Sequence, residues 1–91
     1  MTIHHDTQKH LFFTEVDGHT AYIHYEPQGD NTLNILHTVV PEAIGGRGIA
    51  GKITEFMLKT AKENNYKIIP SCSYTESYLK RHPEYQDLVA K

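Results

Sequence analysis

Four of the chain's six glycines fall within residues 45–51, Gly-Gly-Arg-Gly-Ile-Ala-Gly, at the point where a β-branched run gives way to an amphipathic one. Glycine admits positive φ and lets a bulky anion reach main-chain N–H groups with no Cβ in the way. The first N–H groups of a helix lack intrahelical partners and form the positive end of its dipole. A glycine turn opening a helix therefore suits a phosphate or pyrophosphate, although the same residues also make a plain turn. Arg47 could neutralise such a phosphate or stand in solvent. Gly46, Gly48 and Gly51 match the spacing of a dinucleotide fingerprint. That reading is disfavoured: the chain is short of two mononucleotide halves, the preceding strands read as antiparallel, and Ile69-Pro70-Ser71 offers no acidic residue after the next strand. A P-loop is excluded, because no Gly-Lys-Ser/Thr follows the glycines.

Other side chains are also candidates for chemistry. Cys72, flanked by Ser71 and Ser73, stands where a short apolar run meets a second helix. A helix N-terminus lowers a thiol's pKa and makes it a nucleophile; the plainer role is a small, half-buried hydrophobe. His37 titrates near neutrality and could act as a general base, or simply face water from a strand. The seven histidines raise the question of a metal. His4, His5 and His10 sit near the N-terminus, and no His or Cys pair recurs at ligand spacing, so no metal site is expected.

The elements that must hold these groups follow from periodicity. His10 to Val16 is aromatic and β-branched, and Asp17-Gly18 is a strong hairpin signal. His19 to Glu26 forms a second strand, with Ala21, Ile23 and Tyr25 on one face and Tyr22 and His24 on the other. After the turn cluster Pro27 to Asn31, Thr32 to Val40 forms a third strand, giving an antiparallel meander. Ile49, Ile53, Phe56, Met57 and Thr60-Ala61 recur at helical spacing, with Lys52, Glu55, Lys59 and Lys62 facing outward. Asn64-Asn65 suits the helix end. Tyr66 to Pro70 is a short strand, and the strand–helix–strand order predicts that it runs parallel to Thr32–Val40. Ser73 opens a second helix, with Glu76 at capping-box spacing, and Pro83 stops it near Arg81. Tyr85, Leu88 and Val89 are expected to anchor the tail. The fold class is α/β, with mixed strand directions.

With 91 residues, 38% hydrophobic and 22% charged, the chain has the composition of one ordinary globular domain. Residues 1–9 are polar and expected to be mobile, leaving 10–91 as the domain. No apolar run approaches the length of a membrane span, and no apolar leader core is visible. Lys plus Arg number 9 against 11 Asp plus Glu, for a net charge of −2, which gives no footprint for nucleic acid. A single cysteine fits a reducing cytoplasm.

The run from Val40 to Lys52 resembles the acetyl-CoA loop of the GNAT acetyltransferase superfamily. Gly48 and Ala50 fit its pattern, whereas Gly45 stands where a long polar side chain is usual. The resemblance extends to a small subgroup sometimes called YjdJ-like, through Cys72 and the close His82-Pro83-Glu84-Tyr85-Gln86-Asp87, and covers roughly residues 10–90. It implies a truncated GNAT fold with acetyl-CoA as cosubstrate. It also implies main-chain pairing of pantetheine near Thr38, Val39 and Val40, and a pyrophosphate on Gly45, Gly46, Arg47, Gly48, Ile49, Ala50 and Gly51. By the same resemblance Cys72 lies near the acetyl group and Tyr78 stands where a tyrosine protonates departing CoA, while His37 could serve as base on an acceptor amine. Tyr78 could equally be a core residue. Larger relatives build their acceptor site with two helices between early strands, and here only Pro27 to Asn31 connects them. The function expected is an N-acetyltransferase acting on an unidentified amine, with a non-catalytic acyl-CoA-binding or sensing module as the rival. The sequence is silent on oligomeric state.

Overall fold

The structure, a computed structural model, describes residues 1–90. Strands β1 (His4–Asp6), β2 (Leu11–Val16), β3 (His19–Pro27) and β4 (Thr32–Val39) precede helix α1 (Ile49–Glu63). Strand β5 (Lys67–Pro70), helix α2 (Ser73–Arg81) and a 3-10 segment, Pro83–Leu88, complete the chain. The sheet order is β1-β2-β3-β4-β5, antiparallel except for the parallel pair β4–β5.

Local chemistry accounts for most of these boundaries. Val16 pairs with His19, so Asp17 and Gly18 are the two turn residues, at φ 51° and 79°. Positive φ at both positions matches the twist of the flanking strands. Gly48, at φ 72°, precedes the first turn of α1, and Asn65, at φ 58°, follows its last. Pro83 begins the 3-10 segment that ends α2's run.

The N-terminus corrects one expectation. Residues 4–6 form an edge strand on β2, so four strands run antiparallel where a three-strand meander was expected. The His5 ring stacks on Phe12 at 4.0 Å, and the Thr14 hydroxyl donates to the Thr2 carbonyl at 2.6 Å. Imidazoles supply the packing there, so apolar alternation does not reveal the strand. The capping box is a second correction. Cys72 is the N-cap of α2, with no side-chain cap bond, and Glu76 instead pairs with Lys80 at 3.6 Å. Cys72 N–H donates to the Ile35 carbonyl at 2.9 Å, so the sheet hands the chain to the helix one residue earlier.

Helix α1 packs over β2 and β3, α2 packs over β4 and β5, and the two helices touch. One core results: Phe12, Ala21, Ile23 and Ile35 from the sheet meet Ile53, Met57, Leu58 and Ala61 from α1, all fully buried. Each large aliphatic so buried contributes about 1.5–3 kcal/mol. The buried stripe of α1 also takes in Thr54 and Leu58, and the helix contacts α2 and the 3-10 segment as well as the sheet. The tail anchors as expected: Leu88 is buried, Val89 bridges to Ile68, and Tyr85 packs against the core.

Candidate functional site

The parallel pairing of β4 and β5 covers only Thr32–Ile35 against Lys67–Pro70. β3 pairs Tyr25 with Ile35 but His24 with His37, which leaves Leu36 as an extra residue, a β-bulge. A bulge bends its strand and re-aims the side chains that follow. Without it, alternation would send His37 inward after Leu33 and Ile35. With it, Thr38 lies opposite buried Ile23 and takes the inner face, while His37 lies opposite His24. The two imidazoles stack on the outer face at 6.3 Å. Among the described residues, no strand lies beside the β5-facing edge of Thr38–Val39, so the sheet forks there. The Ser71 hydroxyl, donating to Asn34 Oδ1 at 2.6 Å, ties the base of the fork.

Cys72 closes the inner side of the fork. Its Sγ lies 3.4 Å from the Thr38 hydroxyl, and the residue is 9% exposed. Burial pushes the thiol up, but the Thr38 hydroxyl bonded to it and the nearby polar hydrogens of Thr75 and Tyr74 together outweigh that. The net pKa lies below that of an ordinary cysteine. Among the described residues the buried Thr75 hydroxyl has no hydrogen-bond partner. The backbone donors are the free N–H groups of α2's first turn, so helix geometry itself favours the thiolate.

The glycine loop leads into the first turn of α1. Gly46 and Gly48 hold φ 76° and 72°, and a Cβ on either would meet open space. The requirement at both is therefore conformational toward the protein, with room on the outside for a ligand. Gly51, already helical, faces the Tyr74 hydroxyl, 3.4 Å from where a Cβ would stand. Gly45 is not in the left-handed region; a Cβ there would press the Glu42 carbonyl at 3.3 Å. No acidic residue occupies the first turn of α1 and no side chain caps it. Arg47 reaches back to Asp17 at 2.7 Å, an exposed pair that holds the loop against the β2–β3 hairpin.

Of the sequence candidates, Thr38 and Cys72 meet at the fork. His37 faces the other side of the sheet. Tyr78 lies six residues along α2 from Cys72, about 9 Å of helix rise, buried with its ring stacked on His82 at 4.0 Å. Burial and, after it, the Glu55 carboxylate hold its phenol above the ordinary tyrosine value, so it stays protonated at neutral pH. Tyr74, one turn nearer the thiol and set against the start of α1, was missed. So was Thr75, three residues beyond Cys72. Helical spacing from Cys72 was the signal for both. Among the described residues no group of His, Cys, Asp and Glu is placed to hold a metal ion, and no helix is long and apolar enough to cross a membrane.

Comparison with known proteins adds an independent line. A family model described as GCN5-related N-acetyl-transferase matches residues 11–88. Protein NATD1 of Mus musculus is 32% identical over 83 residues, 89% of this chain and 76% of the relative. Protein NATD1 of Xenopus tropicalis is 31% identical over the same shares of both chains. A solution structure from Staphylococcus aureus, described as GCN5-like, superposes with a TM-score of 0.74 at 32% identity, covering 98% of this chain and 87% of that one.

Proposed function

Since the chain belongs to the GCN5-related N-acetyltransferase family, we propose that it binds acetyl-CoA across the β4–β5 fork and passes the acetyl group to an amine. The observation that carries this reading is the fork itself, where the Leu36 bulge, Thr38 and Cys72 meet beside an uncapped glycine-led helix. The pyrophosphate would rest on N–H groups from Gly46 to Gly51. The pantetheine amides would pair with the free edge of Thr38, Val39 and Val40, as a strand would. This directs the thioester toward Cys72.

Two routes serve the chemistry. In the direct route the amine nitrogen attacks the thioester carbonyl, the tetrahedral intermediate expels CoA thiolate, and the nitrogen loses a proton. In the covalent route the Cys72 thiolate attacks first and CoA leaves; the amine then displaces the cysteine sulfur. The lowered Cys72 pKa supports the second. Tyr78, protonated but buried, would serve the first route as acid to the leaving thiolate. His37 would act as base only on an acceptor arriving from the outer face. A lone thiol suits a cytoplasmic setting.

The short β3–β4 connection, residues 28–31, favours a second reading, a module that binds acyl-CoA without turning it over. Thermal unfolding and intact-mass measurement separate the two. Acetyl-CoA at ~100 times its Kd should raise stability by ~2.7 kcal/mol, and NAD should not. A thiol-dependent acetyl adduct, absent in Cys72→Ser and discharged by an amine, establishes the covalent route. Stabilisation without an adduct, and without turnover on any amine, leaves the binding module. No stabilisation by any CoA ester removes both.

A further inference from the structure

At the opposite end of the sheet, the starts of β4 and β5 border an open cavity of about 360 Å³. Its lining includes His5, His10, Tyr25, Tyr66, Asp30 and Leu33. Because β4 and β5 are parallel, and Thr38 and Cys72 lie beyond their paired segment at its C-terminal end, this cavity is a separate place. It takes no part in the acetyl-CoA reading above.

The cavity's wall is held in place from behind. Tyr25 is 3% exposed, and its hydroxyl lies 2.6 Å from His5 Nε2. His5 in turn stacks on Phe12, and the His10 ring stands 5.5 Å from Tyr25. Burial keeps His5 below its usual pKa, so its imidazole is neutral at pH 7. Among the described residues no lysine or arginine lines the cavity, whereas Asp30 does. Asp6, whose charge acts on both His5 and Tyr25, is itself bonded by the Gln8 and Lys9 N–H groups and offset by the Lys9 ammonium. The rim is set by Gly29, Asp30 and Asn31 in left-handed backbone, closed by the Gln28 N–H to Thr32 carbonyl bond at 2.8 Å.

Two tyrosine rings, two imidazoles and an aspartate, with no lysine or arginine in the lining among the described residues, describe a recognition chemistry. Aromatic faces attract cations through their quadrupole, and a nearby carboxylate adds direct attraction. The volume lies at the low end for ligand cavities. From these residues we infer that the cavity at the start of β4 and β5 is a binding site for a small organic ammonium ion.

Amide NMR titration of the full chain with choline tests this, with 3,3-dimethyl-1-butanol as the uncharged match in shape. Choline should give saturable shifts at Gly29, Asp30, Asn31 and Thr32 and leave Cys72 unmoved. The alcohol should bind roughly 10-fold more weakly, the scale of one cation–π contact. Asp30→Asn, which keeps the left-handed backbone, should weaken choline by about 2–5-fold, as loss of a single exposed charge does. Tyr66→Leu should act in the same direction, and Asp30→Asn decides alone if that variant fails to fold. Equal binding of the alcohol overturns the inference. So do shifts centred on Thr38 and Cys72, or no saturable shift up to roughly 10 mM, below the affinity of even a weak fragment.

Discussion

Each of the two helices is the next α-helix after one strand of the parallel pair, yet they begin differently. A serine, threonine, aspartate or asparagine would ordinarily accept a hydrogen bond from the first-turn N–H groups. Neither helix has one in that role. α1 is entered through Gly48 in left-handed backbone, with no acidic side chain in its first turn. α2 is entered through Cys72 in extended backbone, its N–H already bound to the sheet. The first arrangement leaves a wide, side-chain-free approach to the N–H groups, suited to a large anion from outside. The second offers the same N–H groups to one small atom belonging to the protein, the Cys72 sulfur. The same dipole is left open at the start of α1, where the proposed ligand would sit, and favours a side chain's ionisation at the start of α2.

Several substitutions can break that comparison. The largest effect is expected from Gly48→Val. Left-handed backbone costs an L-residue about 1–2 kcal/mol, and the side chain would stand in the approach to α1. CoA affinity should fall at least roughly 10-fold, or about 1.4 kcal/mol. Gly18→Val is the control: it has the same backbone sign in the β2–β3 hairpin, so it should lose similar stability and retain CoA affinity. Equal losses of affinity in the two variants would mean that the α1 loop is no anion site.

Thr38→Val should have an intermediate effect, confined to α2. Removing one hydrogen bond to the thiolate, about 0.5–1.5 kcal/mol, raises the midpoint of the Cys72 alkylation rate by up to roughly one pH unit. CoA binding should change little, since the proposed pairing with pantetheine uses main chain and not this side chain. The same thiol makes a prediction about stability. Its folded pKa is depressed, so its contribution is present above the ordinary value of 9.0 and is lost as pH falls through the folded value. Denaturant unfolding from pH 7 to 10 should show stability rising relative to Cys72→Ser, and parallel curves would contradict the thiolate geometry.

The smallest effect is expected from Arg47→Ala. Arg47 and Asp17 are 49% and 66% exposed, so the pair contributes about 0.5 kcal/mol or less. If Arg47 also meets a phosphate, CoA affinity should fall a few-fold and more steeply at low salt, which calorimetry at two ionic strengths resolves.

Local pattern alone determined much of this protein. Hairpin residues Asp17-Gly18, the α1 stripe from Ile49 to Ala61, the stop at Pro83 and the parallel direction of β5 all depend on short-range preferences or chain connectivity. Such signals survive in a bare sequence because backbone sterics and side-chain periodicity act within a few residues. The glycine turn before α1 was legible for the same reason. Tertiary structure alone decided the rest. Leu36 bulges because β3 and β4 must pair on both sides of it, and nothing in Asn34 to Thr38 announces which residue is extra. That slip moved His37 to the outer face and brought Thr38 to Cys72, because strand side chains alternate with a period of two and one added residue inverts all that follow. β1 was hidden because His5 fills its place by stacking on Phe12, a contact visible only once the strands are side by side. The cavity between Tyr25, Tyr66 and His5 draws on residues far apart in the chain, gathered by sheet register alone.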